Sequence, residues 1–208
     1  MPKPSEILVV GGHVALDFVN TVGGPRDGEP DHDDEALGSY DDLLAWSRRV
    51  GTLSAPQARA LRGAAAGDAH RAERALAQAL SLRGLMYDLF RPLADGKAAP
   101  PALLERLRDL EREALRHARL AAAHHRLRWT WPSAPESLEA PLWPLAHASV
   151  DLLTQGPLER LKVCANCRWL FLDESRNRSR RWCSMEECGT LVKKERFIER
   201  RRERRAAG

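Results

Sequence analysis

All four cysteines of the chain lie close together near its carboxyl end, with a spacing that suits metal ligands. Cys164 and Cys167 form a C-x2-C pair, and after fifteen residues Cys183 and Cys188 form a second pair. A C-x2-C turn can direct two thiolates at one ion, and a second pair completes the tetrahedral four-sulfur site that Zn²⁺ prefers. The spacing therefore predicts that these four cysteines bind Zn²⁺.

Two other uses of cysteine fit this sequence less well. Disulfides are rare in the cytosol, and the first residues lack the basic start, long apolar block and cleavage site of a signal peptide. A thioredoxin-like redox couple would use one C-x-x-C pair and leave Cys183 and Cys188 without a role. The sequence also has no run of about 18 apolar residues that would predict a membrane span. We therefore expect a cytoplasmic protein with reduced, metal-binding thiols and no membrane partner.

Short apolar segments surround the cysteine pairs and predict a small zinc ribbon. Residues 161–164 and 168–172 are strand-like, and 180–183 would bring a third short strand to the second pair. Because a segment this short can bury only a small hydrophobic core, the metal is expected to supply most of the folding free energy. The small core beside the metal would consist of Trp169, Phe171 and Trp182, with base stacking as an alternative role for Trp182.

The end of the chain is basic, whereas the preceding body is mildly acidic. Residues 158–208 contain 15 Lys+Arg and 8 Asp+Glu, a net charge of +7, and residues 1–157 carry a net charge of −3. Such a tail is typical of a protein that meets a polyanion, although it can also serve only to keep a protein in solution. We predict a helix that begins near Ser184, with Glu187 three residues later in a capping box.

The predicted helix separates its charges by side, which favours nucleic acid as the partner. At about 100° per residue, Lys193, Arg196 and Arg200 share one side. Glu195 and Glu199 lie farther around the helix, beside apolar residues that would anchor it. A salt-bridged helix in solvent is the alternative. The candidate nucleic-acid contacts are, on the loop between the cysteine pairs, Arg176, Arg178, Arg180 and Arg181, and, on the helix, Lys193, Lys194, Arg196, Arg200, Arg201 and Arg204.

The first 157 residues predict a mainly α-helical domain that ends at the glycine and proline of 155–157. A strand is predicted over 7–10, and a short β-hairpin joins 118–123 to 126–132 through a turn at His124 and His125, although 118–123 could instead end the preceding helix. Residues 25–38 predict a loop, whose acidic run at 31–35 we expect to be solvated rather than metal-binding. Helices are predicted over 13–22, 39–51, 54–67, 68–93, 102–120 and 142–155.

The body offers one candidate ligand site and no catalytic motif. His13, Asp17 and Asn20 follow at i, i+4 and i+7, so one helical face could present all three to a small ligand. The alternative is that these side chains cap helices and satisfy buried backbone groups. His147 and Asp151 predict an internal hydrogen bond. The sequence contains no G-x-S-x-G, phosphate-binding glycine loop or H-E-x-x-H motif, so we predict no enzymatic activity and no catalytic residues.

Two known families are similar to this sequence. The cysteine-rich segment 164–189, with the KKERF that follows it, closely resembles the CGNR-type zinc finger. The segments LDFVNTV (16–22), 41–51 and 142–153 resemble the ABATE domain that precedes this finger in bacterial proteins. The resemblance covers nearly the whole chain and implies a stress-induced transcriptional regulator, with DNA binding by the finger and effector sensing by the body.

One departure from the family motif bears on DNA recognition. The motif would place Asn and Arg after Cys188 and Gly189, where this chain has Thr190 and Leu191. If the family residues contact DNA, this member lacks that contact, whereas the metal site is unaffected. The resulting prediction is a zinc-containing regulator of duplex DNA, with homodimerisation plausible because one small finger covers little DNA. The alternatives are an adaptor that binds RNA or an acidic protein, and a body that acts as a small-ligand sensor or enzyme.

Overall fold

The fold is known from a computed structural model, which describes residues 7–26, 29–31, 35–123, 125–132 and 137–206. The strands of the described chain form three antiparallel pairs, β1 (Gly23–Arg26) with β2 (Glu29–Asp31), β3 (Arg119–Ala123) with β4 (Arg126–Thr130), and β5 (Leu161–Val163) with β6 (Leu170–Leu172). The helices in chain order are α1 (Val14–Val19), α2 (Tyr40–Arg49), α3 (Ala55–Ala66), α4 (Ala69–Ala94), α5 (Pro101–Arg116), α6 (Leu142–Gln155) and α7 (Thr190–Ala206). The predicted fold class, mainly α with a short hairpin and a cysteine-rich end with small strands and a helix, is confirmed.

Side-chain caps mark where α2, α3 and α4 begin, as the sequence predicts, whereas α5 and α6 begin after prolines that form no capping hydrogen bond. Ser39 accepts a hydrogen bond from the third residue of its helix, and Asp68 does the same at the start of α4. Ser54 and Gln57 form a complete capping box at the start of α3. Each cap satisfies an amide that the helix itself leaves unpaired.

Three segments predicted as strands or as a loop differ in the structure. The strand over 7–10 is not formed, and the carbonyl of Ile7 accepts a hydrogen bond from the Arg49 side chain instead of from a neighbouring strand. The predicted loop 25–38 contains the end of β1 and the whole of β2. The third ribbon strand over 180–183 is also absent. Among the described residues, a single backbone hydrogen bond, from the Ala165 amide to the Arg181 carbonyl at 2.9 Å, joins this segment to the turn of residues 164–168.

The hairpin β3–β4 confirms the predicted pairing of 118–123 with 126–132. Five residue pairs align in register, from Arg119 with Thr130 to Ala123 with Arg126. Helix α5 therefore ends at Arg116, short of its predicted end at 120. His124, from the predicted turn, and residues 32–34 of the acidic run lie outside the described residues.

One hydrophobic core joins the helical body to the cysteine-rich end of the chain. Phe18, Trp46 and Phe90 are fully buried in it, and Leu161 and Leu170 of the hairpin β5–β6 belong to the same cluster. The division into domains at residue 157 stays a prediction, because this hairpin shares the core of the body.

Strand β6 is buried on both faces. Because side chains alternate along a strand, Leu170 and Leu172 enter the core of the body, whereas Phe171 enters a second cluster that contains the buried cysteines. Trp169 and Trp182 pack against this second cluster, as predicted. No helix of the described chain combines the length and apolar character needed to cross a membrane.

Candidate metal centre and nucleic-acid interface

The four cysteine sulfurs come together in space. All four Sγ atoms lie within 4.8 Å of one another, with 3.5 Å between Cys167 and Cys183 and 3.8 Å between Cys183 and Cys188. A tetrahedral zinc–thiolate site has sulfurs about 3.8 Å apart, given Zn–S bonds of about 2.3 Å. Cys164, Cys183 and Cys188 are buried and Cys167 is half-buried. The donor set therefore fits one Zn²⁺ ion.

Tight turns of the backbone direct the two cysteine pairs at the same point. After β5, the Arg168 amide donates to the Cys164 carbonyl and the Cys164 amide donates to the Trp169 carbonyl at 2.8 Å, which closes the first knuckle. Arg168 adopts a φ of 64° in this knuckle. Cys188 lies in a π-helical turn, Met185–Gly189, that begins at Ser184, whose Oγ accepts from the Glu187 amide at 3.2 Å. The predicted Ser184 cap is therefore present.

The crowded thiols influence one another's ionisation. Hydrogen bonds from Cys167, and then Cys183, hold the pKa of Cys164 well below its usual range. The same contacts with Cys164 raise the pKa of both Cys167 and Cys183. One thiolate therefore forms readily while its neighbours keep their protons, because adjacent anionic sulfurs repel each other. A bound cation would displace those protons and remove the repulsion.

A buried carboxylate, which the sequence analysis did not identify, organises the arginine-rich loop. Asp173 is 0% exposed and accepts hydrogen bonds from Lys162 Nζ at 2.7 Å, from the Arg180 amide at 2.9 Å and from the Ser175 amide at 2.9 Å. Burial raises the pKa of Asp173, but these donors outweigh that effect and hold it below the usual range of an aspartate. The contribution of the carboxylate to stability is therefore present at neutral pH and is lost only as the pH falls through that lowered value.

The four loop arginines differ in how far they are available to a partner. Arg176, Arg178 and Arg181 are exposed, with Arg178 3.4 Å from Glu159 and Arg181 over the Trp182 ring. Arg180 instead packs over the Phe171 ring and donates to the carbonyls of Trp182 and Cys183. The guanidinium of Arg180 thus supports the second cysteine pair from inside the metal module, the segment 161–206 that runs from β5 through α7.

Helix α7 follows directly on the turn that holds Cys188, and its described side chains are exposed apart from the partly buried Val192. Every side chain of 193–204 whose burial is described is exposed, including all six predicted contacts on this helix. The predicted apolar anchor is not covered, because Leu191 and Ile198 are each 48% exposed. Phe197 is 58% exposed, with the Arg201 guanidinium 5.8 Å from its ring centre.

The residues of the predicted ligand site connect the body to the metal module. Asn20 donates to the Leu170 carbonyl at 2.8 Å and accepts from the Leu170 amide at 3.0 Å. Buried Asp17 accepts from the Gly11 amide at 2.8 Å, and the Gly11 carbonyl accepts from the Leu172 amide at 2.8 Å. His13 caps α1 through Nδ1. These contacts match the capping alternative, and ligand binding by the three residues stays a prediction.

These contacts occupy the edge of β6 that faces away from β5. On the β5 side, the Trp169 carbonyl accepts a hydrogen bond from the Cys164 amide, and the Asp173 amide donates to the Arg160 carbonyl. On the opposite side, Leu170 bonds to Asn20 and Leu172 bonds to Gly11. The Trp169 indole adds a bond to the Val22 carbonyl at 2.9 Å. Gly11 is required here because a Cβ would lie 2.8 Å from the Leu16 side chain. The docking role of these residues could not be read from their spacing.

The predicted pair of His147 and Asp151 is not formed in the described chain, and each contacts a different residue. His147 Nδ1 lies 2.7 Å from Glu111 Oε1, and Asp151 Oδ2 lies 4.0 Å from His13 Nε2. Burial lowers the pKa of His13, and the Asp151 charge partly opposes that shift.

A cavity of about 490 Å³ lies between α4, α5 and α6 and was not anticipated from the sequence. Leu82, Leu85 and Trp143 are among its apolar lining. Its charged lining is mostly acidic, with Asp109, Glu113 and Glu139 against one arginine, Arg106.

Comparison with known families accounts for nearly all of the described chain. The ABATE family, described as "Putative stress-induced transcription regulator", matches residues 12–156, and the family described as "CGNR zinc finger" matches residues 160–201. Both resemblances noted in the sequence are thereby confirmed. A comparison with curated proteins found no match. The chain therefore belongs to the ABATE family and carries a CGNR zinc finger, with Zn²⁺ as the cofactor of its four-cysteine cluster.

Proposed function

We propose that this protein is a DNA-binding transcriptional regulator that uses its zinc module to hold a basic helix against duplex DNA. The observation that carries the proposal is the exposed helix α7, which leaves the turn of Cys188 directly and presents its lysines and arginines to solvent. A regulator family and a zinc finger family on one chain support it. Such a protein acts in the cytoplasm and is not an enzyme.

The proposed contacts divide between the helix and the loop. Lys193, Arg200 and Arg204 on α7 would bind phosphates, because cationic side chains supply most of the affinity for DNA. Arg176 and Arg181 would add contacts from the loop that Asp173 organises, whereas Arg180 holds that loop in place. In a homodimer, two modules would cover two half-sites and supply the specificity that one small module lacks.

Charge reversal on α7 should weaken DNA binding by the full-length, zinc-loaded protein. We expect Arg200→Glu with Arg204→Glu to reduce the slope of log affinity against log salt by about two, since each lost phosphate contact removes about 0.9. The control, Arg59→Glu with Arg74→Glu, makes the same change of net charge on exposed positions of the body. Binding would be measured by fluorescence anisotropy over a salt series. Equal slopes for the two double variants would exclude α7 as the DNA-binding element.

The same titration distinguishes DNA binding from the alternative that the protein is an adaptor for RNA or an acidic protein. Duplex DNA, duplex RNA and poly-L-glutamate would be compared as competitors at one salt concentration. Duplex DNA should compete best, because an α-helix enters the major groove of B-form DNA, whereas the major groove of A-form RNA is deep and narrow. Stronger competition by RNA or by the acidic polypeptide would favour an adaptor.

We also propose that the body senses a small molecule in the cavity between α4, α5 and α6. Its apolar lining with an acidic rim suits an organic cation with an apolar body. Helix α4 lines this cavity and also contacts β5 and β6 of the metal module. Occupation of the cavity would therefore act on an element that touches the DNA-binding end of the chain.

Thermal unfolding with matched ligands tests the sensor proposal. At about ten times its dissociation constant, phenethylamine should raise the melting temperature by about 4 °C, whereas phenylpropionate should not. The shift should disappear in Asp109→Asn with Glu139→Gln and persist in Glu105→Gln, which changes an exposed carboxylate of α5 outside the cavity. A shift that survives the double variant would place the ligand elsewhere.

A further inference from the structure

An aromatic side chain lies in the middle of the basic side of α7. Phe197 is 58% exposed. At about 100° per residue, Lys193, Arg200 and Arg204 lie within about 60° of it on one side, and Lys194 and Arg201 lie within about 60° on the other. Glu199 lies nearly opposite. Phe197 is therefore the central residue of the surface that the proposed function turns toward DNA.

The position of Phe197 argues against an ordinary apolar docking face. Ile198 and Leu191, which are also exposed, lie about 100° and 120° around the helix from Phe197. Lys194 and Arg201 fall between them and the phenyl ring, and the Arg201 guanidinium lies over the ring. A helix that docks on a protein or a membrane gathers its apolar side chains into one stripe. Here the single aromatic residue is enclosed by cations.

The major groove of duplex DNA is chemically complementary to this arrangement of side chains on α7. The groove is about 12 Å wide and admits an α-helix, with phosphates along both walls and base edges at its floor. Basic residues on both flanks then reach the two walls, and the central residue faces the bases. The apolar group on that floor is the C5-methyl of thymine, which apolar side chains such as phenylalanine contact.

We propose that Phe197 reads thymine by packing against its C5-methyl group in the major groove. This inference rests on the proposed DNA-binding function and adds a specificity-determining residue to it. It also gives the chain a base contact that does not depend on the two positions after Gly189, where this sequence has Thr190 and Leu191.

Two duplexes that differ only in the methyl group test the inference. The zinc-loaded full-length protein would be titrated with alternating poly(dA-dT) and with alternating poly(dA-dU). We expect about fourfold tighter binding to the thymine duplex, the effect of burying one methyl group. In Phe197→Ala the ratio should fall to about one, while the salt slope stays unchanged because no phosphate contact is lost.

The control is Ile198→Ala, which removes a similarly exposed apolar side chain from the flank of the same helix. It should keep both the fourfold ratio and the slope. Salt-sensitive binding in which the wild-type protein has equal affinities for the thymine and uracil duplexes would contradict thymine recognition but not DNA binding. The same conclusion would follow if Phe197→Ala left the ratio of the two affinities unchanged. Loss of binding to anionic phospholipid vesicles in Phe197→Ala, with no change on either duplex, would assign the ring to a membrane surface. No binding to either duplex would remove the proposed function and this inference together.

Discussion

Replacing Cys164 by serine is expected to abolish stoichiometric zinc binding and to lower the stability of the whole chain. Loss of a direct ligand should weaken zinc affinity by more than the roughly 10- to 100-fold that loss of an outer-shell partner causes. Because Leu161 and Leu170 of the metal-bound hairpin also belong to the core of the body, the variant should melt at a lower temperature in a single transition. Metal analysis gives the zinc content, and calorimetry gives the transition.

The matched control for this variant is Ala165→Ser, which places the same serine at an exposed position of the same knuckle without removing a sulfur. It should keep one zinc ion per chain. Chelation of the wild-type protein should reproduce the Cys164→Ser transition. A variant that retains one zinc ion with unchanged affinity in competition with a chelator would show that Cys164 is not a ligand. Two separate transitions would show that the hairpin folds independently of the body.

Replacing Asn20 by alanine should have the second large effect. The substitution removes both hydrogen bonds to Leu170 and leaves a buried amide and a buried carbonyl without these partners. Each such loss costs about 1–3 kcal/mol, so we expect the free energy of unfolding in urea to fall by about 3 kcal/mol. The control Asn177→Ala makes the same substitution on the exposed loop.

The Asn20 experiment also separates docking from ligand binding. If Asn20 serves mainly to dock the metal module, the unfolding free energy falls in the absence of any ligand. A loss of less than about 1 kcal/mol would contradict the docking role and favour a ligand role for His13, Asp17 and Asn20. Asn20→Asp should also destabilise, because it removes the donor to the Leu170 carbonyl and buries a charge.

The docked hairpin has a consequence for how the protein would be regulated. The edges of β6 are occupied by β5 on one side and by Gly11 and Asn20 on the other. Helix α4 contacts the same hairpin and lines the cavity. A ligand that moves α4 would therefore also move the hairpin β5–β6, to which α7 is connected through the cysteine cluster. A zinc finger joined to the body only by a flexible linker would not be moved by such a ligand.

Local signals in the sequence were enough to determine the metal cluster and most helices. The cysteine spacing predicts a four-sulfur site because each pair is closed by a turn of only a few residues. Ser39, Ser54 and Asp68 mark helix starts because each cap acts on an amide within three residues. The alternating side chains of 126–132 predict strand β4, whereas the structure decided that 119–123 pairs with it and does not extend α5.

Only the tertiary structure decided how these elements are used, because the decisive contacts join residues that are distant in sequence. Asn20 and Leu170 are 150 positions apart, and nothing in the spacing of His13, Asp17 and Asn20 distinguishes a ligand pocket from a docking clamp. Asp173 acquires its role from donors that converge on a buried point. The exposure of α7 likewise depends on what the rest of the fold leaves uncovered. Spacing along the chain thus determined the chemistry that could form, and packing determined which side chains remain available for it.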